Sequence, residues 1–255
     1  MKKHVLAAVS LLVLATACCL PGNNSTEPLS AALDALDNDT GVRVSKTEGA
    51  QPECDYYYTF RPAGDTPTRA FIFYPGGLVR PEAYAVHLSG IAAQGYLVFL
   101  MKVPMDLAIF CVDCADKILA DGSYAGIEKW AIGGHSFGGV AAAMYTEQHP
   151  EKIDGLIFWA SYPASDISTI DQKVISIYGT LDGLTDATDI AESETNLPED
   201  TQWVPIEGGN HTQFGYYGDD NNPDFLQEDD NPAEISRDNQ TGQIVEATAD
   251  FLQNL

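Results

Sequence analysis

Residues 130–139 read WAIGGHSFGG. An apolar segment, Trp130–Gly133, runs into the pattern Gly-x-Ser-x-Gly at Gly134–Gly138, and an alanine-rich segment follows as far as His149. A buried strand, a sharp turn and a helix in this order are the setting in which a serine becomes an exposed nucleophile. The glycines beside Ser136 permit the strained turn that such a serine needs. The alternative is a glycine-rich turn with an inert serine.

The rest of the chain alternates between apolar segments and helical patterns, which predicts an α/β fold. Strands are predicted at 56–60, 69–74, 96–103, 130–133, 153–161, 173–178 and 202–206, and helices at 29–36, 81–94, 106–120, 137–149, 186–196 and 240–252. Strands that are apolar throughout indicate a mostly parallel central sheet with helices on both faces. The interval from Tyr162 to Lys173 leaves no room for a helical cap domain, so an uncapped cleft is expected.

A nucleophilic serine needs a base, and the base needs an acid that orients it. In a sheet of this kind the acid follows the serine along the chain and the histidine comes last. Among five histidines only His211 follows the last predicted strand. Asp182 follows the strand before it and is the predicted acid, with Asp186 as its competitor and Asp166 as a weaker one. The alternatives are a surface histidine and an ordinary turn aspartate.

The negative charge of an acyl-transfer transition state also needs hydrogen-bond donors. One is expected to be the backbone amide of Phe137, directly after the serine. The other is expected in the loop YPGGL, residues 74–78, where Gly77 is preferred and Leu78 is its neighbour. The alternative is that the glycines of this loop only form a turn.

The N-terminal residues 1–17 have the pattern of a secretory signal peptide: a basic start, an apolar run and the small residues Ala15–Ala17. An uncleaved anchor or a buried helix fits this pattern less well. Two outcomes of export remain open, lipidation of Cys18 and free secretion, so the protein is expected to be lipid-anchored to the cell envelope or secreted. Residues 18–53 are predicted to be a polar tether and N-terminal extension, and residues 54–255 the folded domain.

The charge of the chain is strongly negative, with 13 basic and 37 acidic residues and a formal charge of −24. Removal of residues 1–17 takes away two lysines and no acidic residue, which leaves 11 basic residues and a charge of −26. Such acidity argues against nucleic acid and anionic membrane surfaces as partners. Contact with a membrane is therefore expected only through a lipid anchor on Cys18.

Three cysteines, Cys54, Cys111 and Cys114, lie in the predicted domain. In an exported protein they favour a structural disulfide, and the sequence leaves open which of them pair. A zinc site needs about four ligands, and no matching cluster of histidine and cysteine is present. The acidic stretch 219–230 lacks an EF-hand pattern. We therefore expect no metal and no organic cofactor.

Five segments of the chain together resemble the compact α/β-hydrolases related to dienelactone hydrolases. They are FYPGG (73–77), GGHSFGG (133–139), ASYP (160–163), YGTLDG (178–183) and GGNHTQFG (208–215). The resemblance spans about residues 54–255 and implies the α/β-hydrolase fold. It also implies a triad of Ser136, Asp182 and His211 and an oxyanion hole of Phe137 with Gly77 or Leu78. Dienelactone hydrolase itself uses a cysteine nucleophile, so its own reaction is not implied.

The expected function is that of an exported, monomeric serine hydrolase. The main hypothesis is a carboxylic ester hydrolase that acts on a small-molecule ester through an acyl-enzyme on Ser136. An amide or thioester hydrolase with the same triad is the first alternative, because one triad serves all acyl transfers. The second alternative is a non-catalytic binding protein that keeps the fold.

Overall fold

The computed structural model describes residues 27–37, 41–51, 54–64, 66–222 and 224–255. The predicted signal peptide and Cys18 lie outside these residues. The strands are β1 Val42–Gln51, β2 Cys54–Pro62, β3 Arg69–Tyr74, β4 Leu97–Met101, β5 Lys129–His135, β6 Gly155–Trp159, β7 Lys173–Gly179 and β8 Gln202–Ile206. They form one sheet in the order β1-β2-β4-β3-β5-β6-β7-β8.

The sheet is mostly parallel, as the apolar strands predicted. β2 runs antiparallel to both of its neighbours, β1 and β4. All other neighbouring pairs, from β4 and β3 across to β7 and β8, are parallel. The carboxyl ends of β3 and β5 to β8 therefore meet at the same edge, where the loops that follow them converge.

Helices cover both faces of the sheet. The α-helices are α1 Ser30–Asp34, α2 Ala85–Ala93, α3 Asp116–Leu119, α4 Phe137–Gln148, α5 Ala187–Ser193 and α6 Arg237–Gln253. On one face α2 and α6 pack against Phe71, Phe73 and Trp159 of the sheet. On the other face α4 packs its alanines against Ile72, Ile132 and Phe158. This arrangement confirms the predicted α/β-hydrolase fold.

Two predictions from the sequence are wrong. No strand was predicted in residues 18–53, the polar tether and N-terminal extension, but Val42–Gln51 forms the edge strand β1 of the sheet. The edge position explains the polar sequence, because one side of such a strand faces solvent. The predicted helix 106–120 is replaced by 3₁₀ turns and the short α3. Met105 and Asp106 have positive φ angles, 53° and 56°, which prevent a regular right-handed α-helix from beginning here.

The connection from β6 to β7, residues 160–172, consists of turns and loop and carries no cap. The disulfide that the sequence left open joins Cys111 to Cys114, within the 3₁₀ segment that follows β4. In the part of the chain that the structure describes, no helix combines the length and apolarity that crossing a bilayer requires.

His87 lies in α2 and is completely buried between the sheet and α6. Its ring contacts those of Trp159 and Tyr216, and its Nε2 lies 3.2 Å from Oγ1 of Thr241. Burial, together with the nearby cation of Arg237, lowers the pKa of His87 to about 3. The imidazole is therefore neutral in the folded protein at neutral pH.

A neutral buried histidine makes stability depend on pH. Below about pH 6.5 His87 binds a proton in the unfolded chain but not in the folded protein. The free energy of unfolding therefore falls by about 1.4 kcal/mol for each pH unit as the pH decreases to about 3. Between about pH 6.5 and pH 5 we expect the free energy of unfolding of the wild type to fall by about 2 kcal/mol more than that of His87→Phe. Urea unfolding at both pH values measures the difference. Equal losses in the two proteins would contradict a neutral His87.

Candidate active site

Ser136 occupies a sharp turn between β5 and α4. Its backbone angles are φ 52° and ψ −122°, a conformation that residues with a side chain rarely adopt. The turn is held from both sides, because the Ser136 amide donates to the carbonyl of Trp159 at 3.0 Å and the Ser161 hydroxyl donates to the carbonyl of Ser136 at 2.7 Å. Strain maintained in this way is typical of functional positions.

The glycines around Ser136 are required by close backbone approach. A Cβ atom on Gly138 would lie 2.2 Å from the carbonyl oxygen of Tyr74, and one on Gly134 would lie 2.4 Å from the carbonyl carbon of Gly138. A Cβ on Gly139 would lie 2.5 Å from Oγ of Ser161. The turn after β5 is thus pressed directly onto the end of β3, which brings the two predicted oxyanion segments together.

Asp182 and His211 form a buried pair at the same edge of the sheet. Oδ2 of Asp182 lies 2.8 Å from Nδ1 of His211, and both side chains are almost completely inaccessible to solvent. Oδ1 of Asp182 accepts from the amides of Leu184 and Thr185 at 2.8 and 2.7 Å. An ionised carboxylate only accepts hydrogen bonds, so Nδ1 of His211 is assigned as the donor to Oδ2 of Asp182. Nε2 of His211 is then the nitrogen that can act as a base.

His135 places this pair beside the turn of Ser136. Its ring centroid lies 4.4 Å from that of His211, and its other neighbour is the parallel ring of Phe214. The hydroxyl of Tyr84 accepts from the Gly76 amide at 2.9 Å and forms a second hydrogen bond with Nδ1 of His135, also at 2.9 Å. Burial lowers the pKa of His135 well below its ordinary value, and His211 adds to this effect. His135 is thus a neutral neighbour that does not compete with His211 for a proton.

Ser136 and His211 are not joined by a hydrogen bond between their side chains among the described contacts. Catalytic hydrogen bonds are often long in proteins without substrate and tighten when substrate binds. The position of His211 is nevertheless fixed by its neighbour Asn210. Gln240 of α6 accepts from the Asn210 amide at 3.1 Å and donates to the Asn210 carbonyl at 2.8 Å.

The two predicted oxyanion segments touch at Gly77. A Cβ on Gly77 would lie 2.7 Å from the ring of Phe137. The Gly77 amide has no hydrogen-bond partner among the described residues, and neither has the Phe137 amide at the start of α4. The Leu78 amide, in contrast, donates to the carbonyl of Asp106 at 2.7 Å. Leu78 is therefore disfavoured as the second donor, and Gly77 remains.

The competing acids have other roles. Asp186 is the N-cap of α5, where its Oδ1 accepts from the amides of Thr188 and Asp189. Asp166 is exposed and accepts from Ser168 in a surface turn. Neither residue makes a hydrogen bond to His211 among the described contacts.

A model of the "Alpha/beta hydrolase family" matches residues 70–242, more than half of the chain, including Ser136, Asp182 and His211. The chain belongs to the alpha/beta hydrolase family. It is also similar to a crystal structure of a predicted CIB-like hydrolase from Thermoplasma acidophilum, with 17% identity, a TM-score of 0.56, and coverage of 84% of this chain and 100% of that chain. At this identity the likeness shows the fold alone. No curated protein sequence matches the chain.

The aromatic residues considered for the cleft of this alpha/beta hydrolase divide into two groups. Phe214, Tyr216 and Tyr217 are buried, so they pack in the core. Phe110 is exposed and Tyr162 is half-buried. Phe110 lies on the segment after β4, and Leu107 of the same segment lies 3.5 Å from where a Gly77 Cβ would be.

Sequence reasoning missed several residues that support the site of the hydrolase. Tyr84, Ser161, Gln240 and Asp230 all hold backbone groups next to predicted site residues. Asp230 is the least visible in the sequence, because it ends an acidic run that has the composition of a solvated surface loop. No spacing or pattern distinguishes it from the exposed Glu228 and Asp229.

The close approach of the two loops makes Gly138 a sensitive position. Gly138→Ala would force a methyl group against the carbonyls of Tyr74 and Pro75, and we expect it to lower the free energy of unfolding by about 3 kcal/mol or more. Gly126→Ala is the control, because Gly126 is exposed and has no neighbour within 4 Å of an added Cβ. The control should change stability by less than about 0.5 kcal/mol in urea unfolding. A tolerated Gly138→Ala would contradict the described backbone contact.

Proposed function

We propose that this alpha/beta hydrolase is an exported carboxylic ester hydrolase that works through an acyl-enzyme on Ser136. One observation carries the proposal: a buried Asp182–His211 pair, 2.8 Å apart, lies beside the strained turn that presents Ser136. A base oriented by an acid next to a serine in this conformation is the arrangement of nucleophilic catalysis. Family membership supports hydrolysis in general, and the ester bond is our choice within it.

In the first half of the reaction His211 would act as a general base. Nε2 takes the hydroxyl proton of Ser136 while Oγ forms a bond to the ester carbonyl carbon. Asp182 stabilises the imidazolium that results, through the bond to Nδ1. The tetrahedral intermediate then collapses, the bond to the alcohol oxygen breaks, and His211 returns the proton to the leaving alcohol.

The negative oxygen of the intermediate would be held by the amides of Gly77 and Phe137. These two amides have no other partner among the described residues, and their residues are in contact. The Phe137 amide also lies at the N-terminus of α4, where the helix dipole favours negative charge. Loss of one such donor typically costs about 10²–10³-fold in kcat.

In the second half of the reaction water would release the acid. His211 takes a proton from water, the hydroxide oxygen bonds to the acyl carbon, and the bond to Oγ of Ser136 breaks as the serine regains its proton. The loop 160–172 contains no helix, so we expect no helical cap in this connection to hinder the approach of water and substrate.

The surroundings of the site favour a neutral ester with an apolar acyl group. Leu107 and Phe137 contact the Gly77 backbone position, and Met105 and Phe110 are exposed on the adjoining segment. The charge of −24 disfavours approach of anionic substrates.

The basic, apolar residues 1–17 support export, and Cys18 is the proposed site of a lipid anchor.

Reaction with a fluorophosphonate probe tests the proposed nucleophile. We expect folded wild type to be labelled at Ser136, and Ser136→Ala to lose labelling and at least about 10⁴-fold of its kcat on a short p-nitrophenyl ester. Ser165→Ala is the control, because Ser165 is an exposed serine away from the turn, and it should behave as wild type. A wild type that the probe leaves unlabelled would favour a non-catalytic binding protein. Hydrolysis of amides or thioesters but not esters would replace the ester assignment.

The acid is tested by a matched pair of substitutions. Asp182→Asn removes the charge that holds His211, and we expect kcat to fall by about 10⁴-fold. Asp186→Asn also removes one negative charge, but asparagine caps helices as well as aspartate, so stability and kcat should be unchanged. Steady-state kinetics with folding checked by circular dichroism measures both. A loss of activity in Asp186→Asn alone would reverse the assignment.

A further inference from the structure

Asp230 is a buried carboxylate that has no ion-pair partner among the described residues. It is 8% exposed and belongs to the segment between β8 and α6. Instead of a cation, five hydrogen-bond donors surround it. They are the amides of Gly183, His211, Asn231 and Thr212 and the hydroxyl of Thr212. A buried charge is costly unless it is paired or hydrogen-bonded, so this site is built around the carboxylate.

The donors come from both loops that carry the acid–base pair. On Oδ1, the amide of Gly183, which follows Asp182, lies at 3.0 Å, and the amide of His211 itself lies at 3.3 Å. On Oδ2, the amide of Thr212 lies at 2.7 Å and its hydroxyl at 2.6 Å. One carboxylate therefore joins the acid turn after β7 to the histidine loop after β8.

The segment of Asp230 is itself fixed against the acid turn. A Cβ on Gly183 would lie 2.5 Å from the carbonyl oxygen of Asp229, so no side chain fits between them. Asp229 has a left-handed backbone, φ 68°, that turns the chain inward at this point. The amide of Gln227 donates to the hydroxyl of Thr212 at 3.1 Å, which ties the segment to the histidine loop a second time.

We infer that Asp230 is a positioning residue of the acyl-transfer site, which sets the distance between Asp182 and His211 by holding the backbone of both loops. This inference rests on the proposed function. Asp230 is expected to touch neither the substrate nor the reacting atoms. It acts through the 2.8 Å contact between Oδ2 of Asp182 and Nδ1 of His211. A misplacement of about 1 Å at a reacting group can cost about 10²-fold in rate, so a loose bridge between the loops would be seen in kcat.

The test replaces Asp230 with asparagine. Asp230→Asn keeps the shape of the side chain but replaces one acceptor oxygen with an NH₂ group. That group would face the N–H or O–H donors that the oxygen accepted from, so hydrogen bonds to one of the two loops would be lost. We expect kcat per probe-titrated active site to fall by about 10–100-fold with KM within about 2-fold of wild type. Glu228→Gln is the matched control, since it removes one negative charge from the same acidic run at an exposed position, and it should leave kcat and KM unchanged.

A second pair of variants keeps the test meaningful if Asp230→Asn does not fold. Thr212→Val removes the hydroxyl that donates to Oδ2 of Asp230 and accepts from the Gln227 amide, while the Thr212 amide stays bonded to Asp230, and we expect a smaller fall in kcat at constant KM. Thr212→Ser retains the hydroxyl and should recover most of the lost kcat. Amide hydrogen exchange at Gly183, His211 and Thr212 should become faster in Asp230→Asn and in Thr212→Val, while Glu228→Gln keeps the wild-type rates.

The outcomes separate this inference from the function on which it rests. Faster exchange together with a lower kcat at constant KM supports a positioning role. Faster exchange with wild-type kcat would reduce Asp230 to a structural residue and overturn the inference, as would wild-type behaviour in both measurements. A wild type that hydrolyses no ester and leaves the probe unreacted would instead refute the proposed function, and the inference would fall with it.

Discussion

The backbone contact between the end of β3 and the turn after β5 is the constraint on which the candidate site depends. The carbonyl of Tyr74 lies so close to Gly138 that no side chain fits between them. Because β3 and β5 are neighbouring parallel strands, this contact fixes the turn of Ser136 relative to the loop of Gly77. The strained serine and both proposed oxyanion donors are thus held by main-chain packing, which side-chain motion cannot loosen.

A second layer of the site is electrostatic and lies on the side of β7 and β8. Two buried carboxylates, Asp182 and Asp230, are stabilised by hydrogen bonds to amides, a hydroxyl and one imidazole, with no lysine or arginine bonded to either among the described residues. Hydrogen bonds from fixed amides hold a charge in one orientation, whereas a flexible lysine would not. The strongly negative surface and the negative site are therefore distinct features: the first is exposed to water and the second is built into the fold.

The sequence was informative where local chemistry and strand order act together. The pattern around Ser136 predicted a strand, a turn and a helix, and all three are present. Close backbone approach explains why the turn needs glycine at positions 134 and 138. Strand order placed Asp182 and His211 in loops that meet at one edge. Their contact could be expected, whereas the choice of Gly77 over Leu78 depends on a hydrogen bond to Asp106, a residue 28 positions away that no local pattern reveals.

Three other features, β1, the segment after β4 and the burial of Asp230, could not be predicted from the sequence because their local composition points to something else. β1 has the polar sequence of an edge strand and was taken as a tether, because only Val42 is buried among its described side chains. The segment after β4 has helical periodicity, but left-handed residues and the disulfide of Cys111 and Cys114 interrupt it. Asp230 lies in an acidic run, and its burial arises only when β7 and β8 bring their loops together. Each of these features is set by tertiary contacts and not by neighbours in sequence.

The first described residues of the chain are hydrogen-bonded near the candidate site, to the segment that follows His211. The Leu29 amide donates to the carbonyl of Tyr216 at 2.9 Å, and the Gly218 amide donates to the carbonyl of Glu27 at 3.0 Å, a few residues beyond His211. If Cys18 carries the proposed lipid, nine residues separate it from Pro28, a span of at most about 35 Å. An anchor at Cys18 would then keep the edge of the sheet that carries Ser136 within about this distance of the membrane surface.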